Sequence, residues 1–185
     1  MICIRKAKEA DYPAITNLIE EAFRYELHGR HLSLAEMIDS DFYIPELSLV
    51  AEINNHKIIG HIYLIETSID YTFLSLGLIQ IAVTPEYQRM GIGSMMMKKA
   101  HQKAKELGYD SVIASGGEQF LSKFGYQTLD NFGIHCGLVE DHRCLAVELY
   151  PGAMTNVRGK VAFPLEYYKI IIEAISAHAS ESIVA

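Results

Sequence analysis

Gly77-Leu78-Ile79-Gln80-Ile81-Ala82-Val83 has the composition of a strand, and Thr84-Pro85-Glu86-Tyr87 connects it to Gln88-Arg89-Met90-Gly91-Ile92-Gly93-Ser94. From Met95 to Leu107 the spacing of apolar residues predicts a helix, which Gly108 ends. The loop Gln88–Ser94 contains two glycines and no acidic residue. Glycines allow a ligand to approach the main chain closely, and the free N–H groups at a helix N-terminus carry partial positive charge. This order of elements predicts a phosphate-binding loop.

The spacing within the loop separates three kinds of phosphate site. A nucleotide-hydrolysing P-loop requires Lys followed by Ser or Thr after its last glycine, whereas Gly93 is followed by Ser94-Met95. A dinucleotide-binding turn requires its glycines directly after the strand and a third glycine, a position that Met96 holds here. The remaining pattern is Gln/Arg-x-x-Gly-x-Gly, with Val-x-Pro-x-Tyr just before it.

This pattern resembles the pyrophosphate loop of the GNAT superfamily of acyl-CoA-dependent N-acyltransferases. Four further stretches are similar to elements of that family. They are a first hairpin (Leu47–Glu52 and Lys57–Ile65), a strand after the cofactor helix (Ser111–Ala114), an aromatic-glycine-aromatic turn (Phe120–Tyr126), and a later strand (Arg143–Leu149) with Pro151-Gly152. The last of these resembles one branch of predicted small-molecule acetyltransferases.

The resemblance implies an α/β fold with a mixed, mostly antiparallel sheet flanked by helices. We expect residues 1–150 to form the N-acetyltransferase domain and residues 151–185 to form a C-terminal strand and helix packed on it. Earlier in the chain, Ile2–Arg5 predicts a strand, Asp11 a helix N-cap, and Ser33 the start of a second helix. Later, Asn156–Phe163 predicts a strand and Pro164 the start of a helix that reaches about Ala177.

The residues expected to hold acetyl-CoA follow from the same resemblance. Main-chain groups of Ile81 and Val83 would pair with the pantetheine arm and polarise the thioester carbonyl. The loop residues would donate their backbone N–H groups to the pyrophosphate: Gln88, Arg89, Met90, Gly91, Ile92, Gly93 and Ser94. Acetyl-CoA is therefore the expected co-substrate.

The acid and the base are less well specified. Many relatives place a tyrosine four residues before the glycine of the aromatic turn, where it protonates the departing thiolate, but Leu121 holds that position here. Tyr126 is the first candidate for a substitute acid and Ser122 the second; water and Tyr87 are alternatives. Gln80 lies on the strand where some relatives carry a carboxylate. The candidate bases are Glu21, Glu26, His28, His31 and Glu66.

Three functions compete on this basis. The first is acetyl transfer from acetyl-CoA to the amine of a small molecule or amino-acid-like metabolite, by direct attack. The second is an acyl-CoA-binding sensor or partner module with a degenerate catalytic site, which Leu121 and Gln80 favour. The third is a nicotinamide-dependent oxidoreductase built on the Gly-x-Gly turn. Thiol release with a panel of amines, and the choice between CoA and NAD(H), would separate them.

Composition restricts the partners. The net charge of −7 and the absence of a basic field argue against nucleic acid and anionic membrane surfaces. No apolar run of about 18 residues and no secretory leader are evident, so we expect a reduced, cytoplasmic protein, with a homodimer left open. His135, Cys136, His142 and Cys144 do not follow zinc-site spacings, so we expect no metal there and no disulfide that folding requires.

Overall fold

The computed structural model describes residues 2–22, 38, 41–54, 56–137, 143–165 and 167–168. Within them nine strands form one sheet: β1 Ile2–Lys6, β2 Tyr43–Ile53, β3 Lys57–Ile69, β4 Phe73–Val83, β5 Ser111–Ser115, β6 Gln127–Thr128, β7 Ile134–His135, β8 Cys144–Glu148 and β9 Gly159–Ala162. The main order is β1-β2-β3-β4-β5-β8-β6, while β9 pairs with both β3 and β7. Only β4–β5 and β7–β9 are parallel among these pairs. The mixed, mostly antiparallel sheet is therefore as predicted.

Two long helices cover opposite faces of the sheet. Helix α1 (Tyr12–Ala22) packs on the face that carries Val50, whereas α2 (Ile92–Glu106) packs on the face that carries Leu49 and Ala51. Successive residues of a strand point to opposite faces, so the two helices enclose the sheet between them. The buried stripe of α2 consists of residues at helical spacing: Ile92, Met96, Met97, Ala100 and Ala104.

The predicted elements of the first half are present, with differences at their ends. Strand β4 has the bounds that the composition of Phe73–Val83 predicts. Strand β2 begins four residues before the predicted Leu47, and β3 continues four residues past the predicted end at Ile65, where it pairs with β4 and β9. Asp11 is not the N-cap of α1. It closes a short 3₁₀ turn (Glu9–Asp11), and its carboxylate accepts hydrogen bonds from the Lys8 amide (2.8 Å) and the Arg5 guanidinium (2.6 Å). The helix expected after Ser33 falls outside the described residues, apart from Ile38.

The second half departs further from expectation. The sequence from Gly133 to Leu149 is compatible with a hairpin that would bring Cys136 and Cys144 together, but its two strands do not pair with each other. Strand β7 pairs in parallel with β9, whereas β8 pairs with β5 and β6. The structure also joins Cys136 and Cys144 in a disulfide, so the expectation that both are reduced thiols is wrong here. These two side chains meet because both lie in one buried cluster, whose other members include Ile134 and Ala146. That folding does not require this bond stays a prediction.

The chain after residue 150 returns to the central sheet. Strand β9 lies against β3, and Phe163 follows it and covers Gly77 on β4. A Cβ at position 77 would lie 3.0 Å from the Phe163 ring, which explains a glycine in the middle of this strand. The predicted helix begins with Leu165, Tyr167 and Tyr168, beyond which the chain lies outside the described residues. In the described part of the chain no helix is long and apolar enough to span a membrane.

Candidate acyl-CoA site

Strands β4 and β5 pair at only three positions, and β4 then continues alone. The parallel ladder runs from Leu76 and Val112 to Leu78 and Ala114, and β4 extends to Val83 without a β5 partner. The register between β3 and β4 also shifts at this point, because Tyr63 faces Gln80 whereas the next residue of β3 faces Leu78. Ile79 is therefore an extra residue, a β-bulge, at the place where the two parallel strands part.

A cavity of about 340 Å³ occupies the space between the parted strands. The residues that line it come from β4, from the end of β5 and from helix α3 (Glu118–Leu121): Leu78, Ile79, Gln80, Ile81, Ala114, Ser115, Gly116, Gly117, Phe120 and Leu121. None of these side chains is ionisable. Among the described residues, the edge of β4 that faces this cavity has no strand partner. Backbone N–H and C=O groups on that edge can pair with an extended ligand.

A second cavity of about 450 Å³ shares two lining residues, Ile81 and Phe120, with the first. It lies at the N-terminus of α2, and its wall includes Val83, Tyr87, Gln88, Arg89, Gly91, Ile92, Gly93, Ser94 and Lys123. Among the described residues that line it, none is acidic and two are cationic, Arg89 and Lys123. The first N–H groups of α2 have no partner within the helix and carry partial positive charge. This cavity therefore suits an anion with several oxygen atoms.

The backbone of the loop explains its glycines. Gly91 precedes α2 with φ 82°, a left-handed conformation that glycine adopts without a steric penalty. No side chain caps the helix there, which leaves its N–H groups available to a ligand. Gly93 has an ordinary backbone, but a Cβ there would touch Phe120 at 3.5 Å and narrow the cavity. Gln88 stabilises the entry to the loop by donating from its side-chain amide to the Val83 carbonyl at 3.1 Å.

Eight of the nine residues predicted to hold the cofactor line this second cavity; the ninth, Met90, is exposed and does not. Lys123, Phe120 and the pair Gly116-Gly117 line the two cavities but were missed. Phe120 and Lys123 belong to the aromatic turn that the sequence pattern did identify, so that turn was the available signal. Gly116 and Gly117 both have positive φ. They follow the last residue of β5 and line the first cavity, which is the cleft between β4 and β5.

The two candidate acids lie elsewhere. Neither Tyr126 nor Ser122 lines either cavity. Tyr126 is buried beside α2, where its hydroxyl lies 3.0 Å from His101 Nε2 and donates to Met97 Sδ at 3.9 Å. Burial raises the pKa of Tyr126, which disfavours loss of its proton. Ser122 is exposed and donates to the Gln119 carbonyl. Their positions argue against a role in proton transfer, and Leu121 itself faces the cleft.

The candidate bases also lie away from the two cavities, so far as they are described. Glu21 is exposed on α1, and Glu66 accepts a hydrogen bond from the Tyr109 hydroxyl at 2.6 Å and lines a different cavity. Glu26, His28 and His31 lie outside the described residues. In the described part of the chain, no cluster of three or more His, Cys, Asp or Glu side chains could hold a metal ion.

The comparisons with known proteins agree on one family. Residues 45–128 match the family model described as Acetyltransferase (GNAT) domain. A GNAT family N-acetyltransferase (YhbS) from Escherichia coli, solved in complex with CoA, superposes with a TM-score of 0.79 at 20% identity, over 90% of this chain and 91% of that one.

Two further solved structures share the fold. A GNAT family acetyltransferase from Brucella melitensis, in complex with acetyl-CoA, has a TM-score of 0.66 at 20% identity, over 90% of this chain and 98% of that one. The ribosomal-protein-S18-alanine N-acetyltransferase from Escherichia coli has a TM-score of 0.58 at 16% identity, over 80% and 94% of the two chains. No curated protein matches the chain in sequence.

Proposed function

We propose that the chain is an acyl-CoA-dependent N-acyltransferase of the GNAT superfamily with acetyl-CoA as co-substrate, and that it acetylates the amine of a small molecule or amino-acid-like metabolite by direct attack. The observation that supports this most is that two cavities share Ile81 and Phe120 in their walls. One cavity lies at the N-terminus of α2 and is lined by Arg89 and Lys123, and the other is an uncharged cleft between β4 and β5. A pyrophosphate fits the first cavity and an extended arm with a thioester fits the second.

The loop binds the pyrophosphate through its main chain. Backbone N–H groups from Gln88 to Ser94 donate to the phosphate oxygens, and the positive end of α2 adds to the attraction. Arg89 and Lys123 supply positive charge at the wall of the same cavity. The pantetheine arm then lies along the unpaired edge of β4, where Ile81 and Val83 offer backbone groups as a neighbouring strand would.

The transfer itself takes place in the cleft. The amine nitrogen attacks the thioester carbonyl carbon, so that an N–C bond forms, the C–S bond breaks, and CoA leaves as a thiolate that takes up a proton. The amine nitrogen loses one proton in the same reaction. A backbone N–H on the β4 edge, near the bulge at Ile79, donates to the carbonyl oxygen as negative charge develops there. One such donor typically contributes about 3 kcal/mol to the barrier reduction.

In this proposal water protonates the departing thiolate and accepts the proton that the amine nitrogen loses. No ionisable side chain among the described residues lines the cleft, and Leu121 fills the position where many relatives have a tyrosine. A thiolate is a tolerable leaving group, so the missing acid slows turnover without preventing it; acid–base assistance is worth about 10²–10⁴-fold in enzymes that use it.

Release of CoA thiol from acetyl-CoA, measured over a panel of amines, tests the proposal. We expect amine-dependent release by the wild-type protein and none by a Gly91→Val variant that binds no CoA. An acyl-CoA-binding sensor would bind CoA and release no thiol with any amine. An oxidoreductase would bind NAD(H) in preference to CoA. Either result would replace the proposed function.

A further inference from the structure

The β5 wall of the cleft is held next to the Cys136–Cys144 disulfide. Ser115, the last residue of β5, lines the cleft and is paired with Cys144, the first residue of β8. The next residue, Gly116, also lines the cleft and donates its backbone N–H to the Arg143 carbonyl at 3.0 Å. Both contacts of the wall are therefore made with the end of β8 at which Cys144 is bonded to Cys136.

The disulfide also closes a connection between the two walls of the cleft. Strand β4, which forms one wall, is paired with β3, and β3 is paired with β9. Strand β9 is paired with β7, and Cys136 directly follows the last residue of β7. The bond then joins Cys136 to β8, which is paired with β5, the other wall. Strand ends open more readily than the middle of a sheet, and the covalent bond limits how far the end of β5 moves away from β4.

The positions of the two cysteines allow the bond to be broken and formed again. Both side chains are only 1% exposed, but each lies at the end of a strand. A reductant therefore reaches the sulfurs when these strand ends open locally, which makes the exchange slow. Both cysteines belong to a buried cluster with Ile134 and Ala146, and this packing does not depend on the bond. The two thiols therefore stay near each other after reduction.

We propose that the Cys136–Cys144 pair is a redox switch of the acyl-CoA site: the disulfide form holds the β5 wall in place, whereas the dithiol form lets it move and binds CoA more weakly. This inference rests on the proposed function, because the cleft is the place proposed for the pantetheine arm. In the switching step a dithiol reductant breaks the S–S bond. Each sulfur gains one electron and one proton, and the reductant is oxidised to a disulfide.

The test uses a Cys3→Ser protein in its two redox states. The sequence has three cysteines, and this variant removes the exposed one, so that only the pair responds to redox reagents. Oxidised glutathione produces the disulfide form, and dithiothreitol produces the dithiol form. Mass spectrometry of the first form should find no free thiol and no bound glutathione. If oxidised glutathione leaves both thiols free, the bond does not form in solution and the proposal fails.

We expect reduction to weaken CoA binding by about tenfold in calorimetric titrations. The double variant Cys136→Ala/Cys144→Ala in the same background cannot form the bond. Its CoA affinity should match that of the dithiol form and should not change with either reagent. Cys136→Ser/Cys144→Ser is a second variant in case the first fails to fold. Equal CoA affinity of the disulfide and dithiol forms would overturn the proposal, and so would a double variant that still responds to the reagents.

Hydrogen exchange separates this inference from the proposed function, because it needs no ligand. Amides of residues 111–121 should exchange faster in the dithiol form, whereas those of α1 should exchange equally in both forms. If neither form binds CoA, the proposed function fails, and the exchange data alone decide whether the bond holds the β5 wall. Equal exchange of residues 111–121 in the two forms would overturn the switch even if the protein binds CoA and acetylates amines.

Discussion

Leu78 on β4 and Ala114 on β5 form the last paired position between the two central parallel strands, and a cavity begins at the next residue of each. Ile79 forms a bulge at this position, so β4 turns relative to β3 where it leaves β5. The opening exposes one edge of β4 as far as Val83, and the loop at the N-terminus of α2 follows after the short 3₁₀ turn Pro85–Tyr87. The strand edge and the loop that we propose to hold acyl-CoA are therefore close to each other in the sequence.

Gly91→Val should abolish CoA binding while the protein stays folded. A β-branched residue is strained at φ 82°, and the loop must move to relieve the strain, which displaces the N–H groups from the phosphates. Gly108→Val is the matched control, because Gly108 ends the same helix with φ 86° and both glycines have open space where a Cβ would lie. Calorimetry should show at least a hundredfold weaker CoA binding for Gly91→Val only. Wild-type affinity in folded Gly91→Val would contradict the assignment of the loop.

Lys123→Ala should weaken CoA binding severalfold, because Lys123 lines the cavity that we propose holds the phosphates. The effect should shrink at high salt, since the side chain is exposed and its charge is screened. Lys98→Ala, on the exposed part of α2 and outside the cavity, should bind CoA as the wild type does. Repeating the titrations with dephospho-CoA identifies the phosphate concerned. Equal CoA affinities of Lys123→Ala and Lys98→Ala would show that Lys123 does not contribute to CoA binding.

Tyr126→Phe should reduce kcat only modestly. Its hydroxyl contacts His101 Nε2 away from the cleft, so its loss should cost about 1 kcal/mol of stability and little catalysis. Ser122→Ala should likewise have a small effect, because Ser122 is exposed outside both cavities. A thousandfold loss of kcat in either variant, with CoA affinity preserved, would show that the removed hydroxyl group acts as the general acid.

Leu121→Tyr should raise turnover if thiolate departure limits the rate. Leu121 lines the cleft, so a hydroxyl introduced there could reach the departing sulfur. Leu121→Phe is the control for the added volume. If tyrosine gives no more turnover than phenylalanine does, protonation of the thiolate does not limit the reaction.

His61 should make the protein less stable as the pH falls from 7 to 5. It is fully buried, its Nε2 lies 3.0 Å from Ser48 Oγ, and burial lowers its pKa to about 4. The unfolded chain takes up a proton near pH 6.5 and the folded one does not, so this contribution is present above pH 6.5 and is lost below it. The loss by pH 5 is about 2 kcal/mol.

Urea unfolding of His61→Gln across this range checks the prediction, because the variant should lose less stability than the wild type. His101, whose pKa burial and the nearby Lys105 lower to about 4, should still contribute in the variant. A pH dependence as steep as that of the wild type would rule out the proposed contribution of His61.

The elements next to the loop could be predicted because their signals are local. The composition from Phe73 to Val83, followed by glycines and then by apolar residues at helical spacing, describes a strand, a turn and a helix without reference to the rest of the chain. Eight of the residues predicted from the same stretch to hold the cofactor line one cavity. Lys123 and Gly116 are too distant in sequence for spacing to reveal that they line the same cavities.

Pairings between distant segments could not be predicted in this way. The sequence from Gly133 to Leu149 is compatible with a hairpin, but β7 pairs with β9 instead, and Cys136 and Cys144 meet through packing of the second core cluster. The position of Tyr126, the first candidate for a substitute acid, also depends on packing between distant segments: its hydroxyl lies beside His101 of α2 and outside both cavities.

The amino-acid sequence by itself determined the glycine-containing loop, its strand and its helix, because backbone conformation and amphipathic spacing are properties of neighbouring residues. Only the tertiary structure decided where β4 and β5 part and which side chains line the opening. Those features depend on strand register and on burial, which are set by segments far apart in the chain.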